Sequence, residues 1–149
     1  MNRFVLDTSV AVSWFFDDEA GEYTAAVLES FADWGAVVPS LWPLEVANVL
    51  LVAERRKVCS EAEAVRFIEL LESLPIITDE ATARRAQHQT YQLAREYSLT
   101  SYDAAYLELA MRLGLSLATM DRQLADAATR AGVAIFLQKY NFHCRPSII

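Results

Sequence analysis

Short apolar runs alternate with longer amphipathic segments along most of the chain. Apolar runs bounded by turn residues are typical of buried strands, and they fall at residues 3–7, 36–39, 75–78, 115–119 and 133–136. The segments between them repeat apolar residues every three to four positions, as a helix with one buried face does. The predicted helices cover residues 9–16, 19–33, 40–57, 60–71, 80–97, 102–113 and 121–131.

The alternation of strands and helices predicts the fold class. Parallel strands joined by helical crossovers form a sheet with helices on both faces. We therefore expect an α/β fold, a three-layer α/β/α sandwich with a mostly parallel, short-stranded sheet. Ser9 and Ser40 are candidate N-caps of the helices that they precede. Ser60 and Glu63 have the spacing of a capping box.

The length and composition fit one globular domain. Apolar residues make up 54% and charged residues 22% of the 149 residues, which favours a packed core over disorder. We expect a single domain over residues 1–149, with its core in residues 3–136 and a tail, residues 137–149, that shows no periodicity. No apolar stretch approaches the ~20 residues of a membrane helix, and Asp7 interrupts the N-terminal run that a signal peptide would need. We therefore expect a soluble, cytoplasmic protein.

The net charge and the cysteine count narrow the range of functions. A net charge of −7 disfavours a non-specific nucleic-acid binder. It is compatible with a nuclease, because metal-binding carboxylates add negative charge that bound cations offset. The two cysteines, Cys59 and Cys144, and the two histidines, His88 and His143, lack the close spacing of a structural zinc site. Two cysteines in a chain of this length also argue against a disulfide framework.

Four acidic residues, far apart in the chain, occupy positions where a carboxylate is unexpected. Asp7 ends one predicted strand, and Asp121 follows another. Asp103 heads a predicted helix, and Glu45 lies within an apolar helical stretch. A buried carboxylate is costly unless it is paired, hydrogen-bonded or bound to a metal. A shared divalent cation is the simplest partner for all four.

The predicted fold gives these acids a reason to converge. In open α/β sheets, sites form beyond the carboxyl ends of the strands, where Asp7 and Asp121 lie. Glu45 and Asp103 join them if their helices pack with these turns at the same edge of the sheet. Carboxylate oxygens suit hard cations such as Mg²⁺ or Mn²⁺, and such a cation activates water for attack on a phosphodiester. The sequence leaves open whether one or two cations bind.

Each acid also has a purely structural interpretation. An Asp that follows a strand is often a helix N-cap, which would explain Asp7 and Asp121. A negative charge near a helix N-terminus is favourable by itself, which would explain Asp103. Glu45 is harder to explain in this way, because a carboxylate in the middle of a helix gains nothing from capping.

Four segments of the chain resemble, in order and in spacing, the motifs of a known family. They lie at residues 5–9, 38–48, 99–107 and 117–121. Together they resemble the four acidic motifs of PIN-domain ribonucleases, and the similarity spans roughly residues 4 to 136. In length and in the residues of its motifs, the chain is most similar to the VapC toxins of bacterial and archaeal toxin–antitoxin pairs. The resemblance leaves the role of the C-terminal tail open.

The resemblance implies an activity and a set of site residues. It implies a Mg²⁺- or Mn²⁺-dependent endoribonuclease, often acting on tRNA or rRNA, that forms homodimers and is neutralised by a cognate VapB antitoxin. Asp7, Glu45, Asp103 and Asp121 would then be the catalytic, metal-binding carboxylates. Asp7 and Asp103 would be direct ligands, whereas Asp121 would act mostly through water. The RNA target and the cut site do not follow from the sequence.

Other residues would support such a site. By the same resemblance, Ser9 and Thr119 match positions whose hydroxyl groups hold the acids or their waters by hydrogen bonds. Arg122, Arg55 and Arg56 are candidates for phosphate contacts along the RNA. Arg55 and Arg56 also have a structural interpretation, because cations at a helix C-terminus are favourable without any ligand.

Two other functions are compatible with parts of the pattern. A phosphatase of the haloacid-dehalogenase type also starts from an Asp after a first strand, but its D-x-D-x-T/V motif needs an acid where this chain has Ser9. A non-catalytic PIN-like interaction module would keep the acids for stability or to receive an arginine from a partner. Binding of Mn²⁺ and harm to cells on expression would favour the enzyme over this module.

Overall fold

The computed structural model describes residues 2–16 and 21–140. In this part of the chain the strands are β1 (Asn2–Leu6), β2 (Trp34–Pro39), β3 (Ile76–Asp79) and β4 (Leu117–Ala118). The α-helices are α1 (Thr8–Ser13), α2 (Glu22–Ser30), α3 (Trp42–Arg55), α4 (Glu61–Ser73), α5 (Thr82–Arg85), α6 (Tyr91–Tyr97), α7 (Ser101–Leu113) and α8 (Arg122–Arg130). The predicted start of the second helix, at residue 19, and the tail from residue 141 lie outside the described residues.

The strands form one parallel sheet in the order β3-β2-β1-β4, with helices around it. This arrangement confirms the predicted α/β class. Strand β1 lies inside the sheet, where Val5 pairs with Val37 on one side and with Leu117 on the other. Phe4, Val5 and Leu6 are fully buried, as expected for a strand covered on both faces. The residue that follows β1 is therefore held in the middle of the carboxyl edge of the sheet.

The fifth strand predicted at residues 133–136 is wrong. This segment makes one isolated parallel bridge, between Leu117 and Ile135. Gly132 and Leu137, on either side of it, have φ angles of 82° and 53°. Left-handed backbone at both ends turns the chain out of the extended direction, so the pairing does not continue into a ladder.

The start of α3 differs from the prediction. The helix begins at Trp42 with Leu41 as its N-cap, so the prediction that Ser40 caps it is wrong. The Ser40 backbone N–H donates instead to the Thr82 hydroxyl at 2.9 Å. Because the helix starts later than predicted, Glu45 lies in its first turn and not in the middle of the helix.

Two further helix predictions have opposite outcomes. The capping box of α4 is confirmed, since Ser60 Oγ accepts from the Glu63 N–H and a Glu63 carboxylate oxygen accepts from the Ser60 N–H, both at 3.2 Å. The single helix predicted at residues 80–97 is interrupted by a π-helical segment, Ala86–Thr90, which buries Thr90. One extra residue in a turn leaves little trace in the hydrophobic spacing.

None of the helices within residues 2–16 and 21–140 is long and apolar enough to cross a membrane.

Aromatic packing joins β1 to the end of the described chain. Phe4 stacks on Phe136 with ring centroids 4.0 Å apart, and Trp34 meets the same ring edge-on at 5.0 Å. The Tyr23 hydroxyl donates to the Phe136 carbonyl at 2.9 Å. Large buried rings dominate core energetics, so these contacts hold the strands β1 and β2 against the segment that follows α8.

A cluster of charged side chains ties β3 to α7. Arg112 donates two hydrogen bonds to Asp79, at 2.6 and 3.2 Å, and its Nε donates to Glu108 at 2.9 Å. Arg85 approaches the same Glu108 carboxylate at 3.4 Å. Glu108 is buried, so removal of Arg112 would leave a carboxylate with fewer partners in a poorly solvated place.

We expect Arg112→Met to lower the free energy of unfolding by about 2–3 kcal/mol, because methionine keeps an apolar stem but removes the donors that bond two carboxylates. The exposed Arg95, which lies over the Tyr91 ring at 5.9 Å, offers a control. Arg95→Met should change stability by less than about 0.5 kcal/mol. Urea denaturation measures the stability of both variants. A midpoint of Arg112→Met equal to that of the wild type would show that the Arg112 hydrogen bonds add nothing to stability.

Candidate active site

Asp7 is the most buried of the four acids, with 5% of its surface exposed. It occupies the N-cap position of α1, yet its side chain makes no capping hydrogen bond. Its Oδ2 accepts instead from Ser9 Oγ at 2.6 Å and from Thr119 Oγ1 at 2.7 Å. Ser9 lies inside α1, so the prediction that it caps this helix is wrong. Within the described residues, no hydrogen bond reaches Asp7 Oδ1.

The two hydroxyl groups that hold Asp7 are themselves fixed by the segment after β4. The Met120 N–H donates to Ser9 Oγ at 2.9 Å, and the Asp121 N–H donates to Thr119 Oγ1 at 3.0 Å. Each hydroxyl therefore accepts from backbone and donates to the same carboxylate oxygen. This arrangement ties the ends of β1 and β4 together around Asp7.

Asp121 and Asp103 lie at the starts of two helices and differ in their bonding. Asp121 is the N-cap of α8, and its Oδ1 accepts from the Leu124 N–H at 3.0 Å. Helix capping therefore accounts for one of its two carboxylate oxygens. Asp103 is in the first turn of α7, where the Thr100 hydroxyl performs the capping. Both carboxylates are half-buried. In the described part of the chain, the Asp103 carboxylate makes no hydrogen bond, and it is open to a ligand.

Glu45 is held by two hydroxyl groups that sequence reasoning missed. Its Oε1 accepts from Tyr106 Oη at 2.5 Å and from Thr8 Oγ1 at 3.2 Å, and the two hydroxyl oxygens are 2.8 Å apart. Thr8 is in α1 and Tyr106 is in α7, so three helices meet at this oxygen. The sequence feature that could have indicated Tyr106 is its position three residues after Asp103, on the inward face of α7. That spacing alone is equally typical of core packing.

The electrostatics of the site follow from burial and from crowding of like charges. Burial raises the pKa of Asp7 to about 7; the Ser9 and Thr119 hydrogen bonds oppose this increase, and the charges of Asp103 and Glu45 add to it. Burial also raises the pKa of Asp103 to about 6, with contributions from Asp121 and Glu45. The four acids are therefore coupled through their charges.

Tyr106 is kept neutral by the same environment. Its burial, followed by the Asp7 charge and the Glu45 contacts, raises the pKa of its phenol far above the ordinary value. The phenol consequently keeps its proton and acts as a hydrogen-bond donor at physiological pH.

The acids fit a divalent cation by their chemistry, although they are not already grouped as a complete site. Among the described residues, no set of three or more His, Cys, Asp or Glu side chains is arranged so that it could hold a metal ion. Mg²⁺ takes only one or two carboxylates directly and keeps several waters, so it does not need such a set. A cation beside the buried Asp7 would offset the charge that burial disfavours. Metal binding by the four acids stays a prediction.

The candidate RNA-contact arginines are spread over the surface. Arg122 is exposed and directly follows Asp121 at the start of α8, beside the acids. Arg55 and Arg56 are exposed at the other end of α3 from Glu45, about 15 Å along the helix. The structure therefore brings Arg122 near the site and places the other two away from it.

Comparisons with known proteins give a family match, a relative in sequence and structures that share the fold. The family model described as PIN domain matches residues 4–130. Ribonuclease VapC3 from Pyrobaculum aerophilum is 29% identical over 124 residues, which are 83% of this chain and 93% of that protein. Two crystal structures share the fold. PAE2754 from Pyrobaculum aerophilum has a TM-score of 0.62 at 22% identity and covers 96% of this chain and 89% of its own. VapBC2 from Rickettsia felis, bound to a DNA fragment from their promoter, has a TM-score of 0.62 at 13% identity, with 90% and 97% covered.

Proposed function

Because the chain belongs to the PIN domain family, we propose that it is a metal-dependent endoribonuclease that hydrolyses RNA phosphodiester bonds. The observation that carries this proposal is the buried Asp7 carboxylate. Ser9 and Thr119 fix one of its oxygens at the middle of the carboxyl edge, and Glu45 and Asp103 are close enough to raise its pKa. The similarity to a ribonuclease over most of both chains supports the reaction class.

The four acids divide the work in this proposal. Asp7 and Asp103 bind Mg²⁺ or Mn²⁺ directly, and Glu45 and Asp121 complete the site. When bound, the cation supplies an activated water and offsets charge on the phosphodiester. Ser9 and Thr119 keep the Asp7 carboxylate in one orientation, so that it meets the cation with little reorganisation. Hydrolysis adds the water oxygen to phosphorus and breaks one P–O ester bond, and the proton that the water loses ends on the leaving ribose oxygen as a hydroxyl group.

Arg122 has a place in the same proposal. Its guanidinium is exposed at the N-terminus of α8, next to Asp121, and is suited to a bidentate contact with an RNA phosphate. Such a contact would offset part of the repulsion between RNA and a chain of net charge −7. Arg55 and Arg56 would contact RNA only if it extends along α3.

We also propose that the enzyme is the toxin of a toxin–antitoxin pair, acting in the cytoplasm on tRNA or rRNA. Its partners are then a VapB-type antitoxin and a second copy of the chain in a homodimer. The relation to Ribonuclease VapC3 supports this assignment, and the fold is compatible with the VapBC2 complex. Growth arrest on expression of the chain alone, relieved by its antitoxin, is the expected cellular result.

Removal of divalent cations should abolish cleavage of RNA. We expect the purified protein to cut a pool of total small RNA with Mg²⁺ or Mn²⁺, and to give no products with EDTA. Gel analysis followed by sequencing of the product ends measures the result and identifies the target. Products that persist in EDTA would contradict metal dependence. An intact pool, together with harmless expression in cells, would favour the non-catalytic interaction module.

A further inference from the structure

The Glu45 carboxylate is held by a short chain of hydroxyl groups. Three oxygen atoms lie close together: Tyr106 Oη, Thr8 Oγ1 and Glu45 Oε1. The two hydroxyl groups have only two protons to donate, so only two of the three oxygen pairs can be full hydrogen bonds. The pairs at 2.5 and 2.8 Å fit hydrogen bonds better than the pair at 3.2 Å. The distances therefore fit a chain in which Thr8 donates to Tyr106 and Tyr106 donates to Glu45 Oε1. Consecutive hydrogen bonds of this kind strengthen one another.

The same chain leaves the second oxygen of Glu45 unused. In residues 2–16 and 21–140, no hydrogen bond reaches Glu45 Oε2. Asp7 shows the same pattern, since two hydroxyl groups hold its Oδ2 and its Oδ1 has no such partner in these ranges. Each carboxylate thus has one oxygen fixed by protein hydroxyl groups and one that makes no hydrogen bond within these ranges.

We propose that Tyr106 and Thr8 are positioning residues that fix Glu45 Oε1 and leave Oε2 for the divalent cation. This inference rests on the proposed metal-dependent function and assigns a role to two residues outside the predicted acidic set. Tyr106 has no exposed surface, so it acts through Glu45 and does not touch RNA. Without the Tyr106 hydroxyl, Glu45 Oε1 would keep only the 3.2 Å contact with Thr8, and cation binding would have to order the carboxylate further.

Tyr106→Phe tests this role with the smallest change, because the ring stays and only the hydroxyl is lost. We expect the Kd for Mn²⁺, measured by isothermal titration calorimetry, to rise about 10-fold or more. Cleavage should fall at low Mn²⁺ and recover with excess Mn²⁺, while KM for RNA stays unchanged. Thr8→Val should give a smaller loss. The double variant should lose more affinity than Tyr106→Phe, because Thr8 Oγ1 lies 3.2 Å from Glu45 Oε1 and can donate to it directly once the phenol is absent.

Tyr23→Phe is the matched control. Tyr23 is equally a buried phenol, and it donates to the Phe136 carbonyl on the far side of β1. Its loss should affect folding stability and leave the Mn²⁺ affinity unchanged. If Tyr106→Phe also keeps the wild-type affinity within twofold, Tyr106 is a structural residue and the proposal is wrong. Thr8→Val gives the same decision should Tyr106→Phe fail to fold.

The wild-type protein separates this inference from the proposed function. If it binds Mn²⁺ in a Tyr106-dependent manner but cuts no RNA, the positioning role stands and the nuclease assignment fails. If it cuts RNA and Tyr106→Phe binds Mn²⁺ normally, the nuclease stands and the positioning role fails. If it binds no Mn²⁺, both fail, because Glu45 then has no cation to meet.

Discussion

Asp7→Asn should reduce RNA cleavage by on the order of 1,000-fold, more than the 10–100-fold typical of residues that only orient a ligand. Asparagine keeps the shape and the oxygen that accepts from Ser9 and Thr119, but it loses the charge offered to the cation. The measurement is the initial cleavage rate at saturating Mn²⁺.

Asp33→Asn is the control for this substitution, because Asp33 is exposed and precedes β2, away from the carboxyl edge. It should cleave at the wild-type rate. Full activity of Asp7→Asn, or of the double variant Asp7→Asn with Asp103→Asn, would remove these residues from the catalytic assignment.

Asp7→Asn should stabilise the metal-free protein at neutral and alkaline pH. Burial raises the folded-state pKa of Asp7 from 3.8 to about 7, so the folded state holds a proton that the unfolded state has released. Stability should therefore fall as pH rises from about 4 to about 7 and then level off. The difference between the two pKa values corresponds to at most about 4 kcal/mol. Asp7→Asn removes this penalty, and Asp103, with its pKa raised to about 6, leaves a weaker trend in the same direction.

Urea denaturation in EDTA at pH 5 and pH 8 measures the effect. The wild type and Asp33→Asn should lose stability between these values more steeply than Asp7→Asn. Mn²⁺ at pH 8 should restore stability to the wild type and do little for Asp7→Asn, because ligand binding stabilises only a fold that can bind it. A less stable Asp7→Asn at pH 8 in EDTA would contradict the buried, penalised carboxylate.

These two expectations have opposite signs for one substitution. An active site often keeps groups that the fold would otherwise exclude, so that removal of the group improves stability and destroys activity. For Asp7, the group is a charge placed where solvent cannot screen it, and the proposed cation supplies the compensation.

The fold class was predictable because it depends on local periodicity. Buried runs such as the one ending at Asp7 carry their own pattern, and a parallel sheet follows from the alternation with helices. Boundaries set by neighbours were not predictable. Ser40 resembles a cap, but its N–H bonds to Thr82, 42 residues further along the chain. The segment at residues 133–136 is as apolar as a strand, but left-handed residues on either side restrict it to one bridge.

For the site, the sequence pointed to the acids and to Ser9 and Thr119, but not to the two hydroxyl groups that hold Glu45. An acid among apolar residues is conspicuous, so Asp7 and Glu45 could be noticed one at a time. Thr8 and Tyr106 are residue types common in any core, and their role depends on a contact between α1 and α7 across a sequence separation of 98 residues. The predicted helix start also placed Glu45 in the middle of its helix, whereas the later start of α3 puts it in the first turn.

The pairing of β1 with β4 has a consequence for the timing of activity. Thr119, which holds Asp7, follows it by 112 residues in the chain. At a synthesis rate of 5–20 residues per second, roughly 6–20 s pass between the emergence of these two residues. During that interval a nascent chain carries its first acid but lacks the strand that completes the surroundings of Asp7. The surroundings of Asp7 are thus complete only after Thr119 has left the ribosome, so the proposed nuclease activity cannot begin before that point.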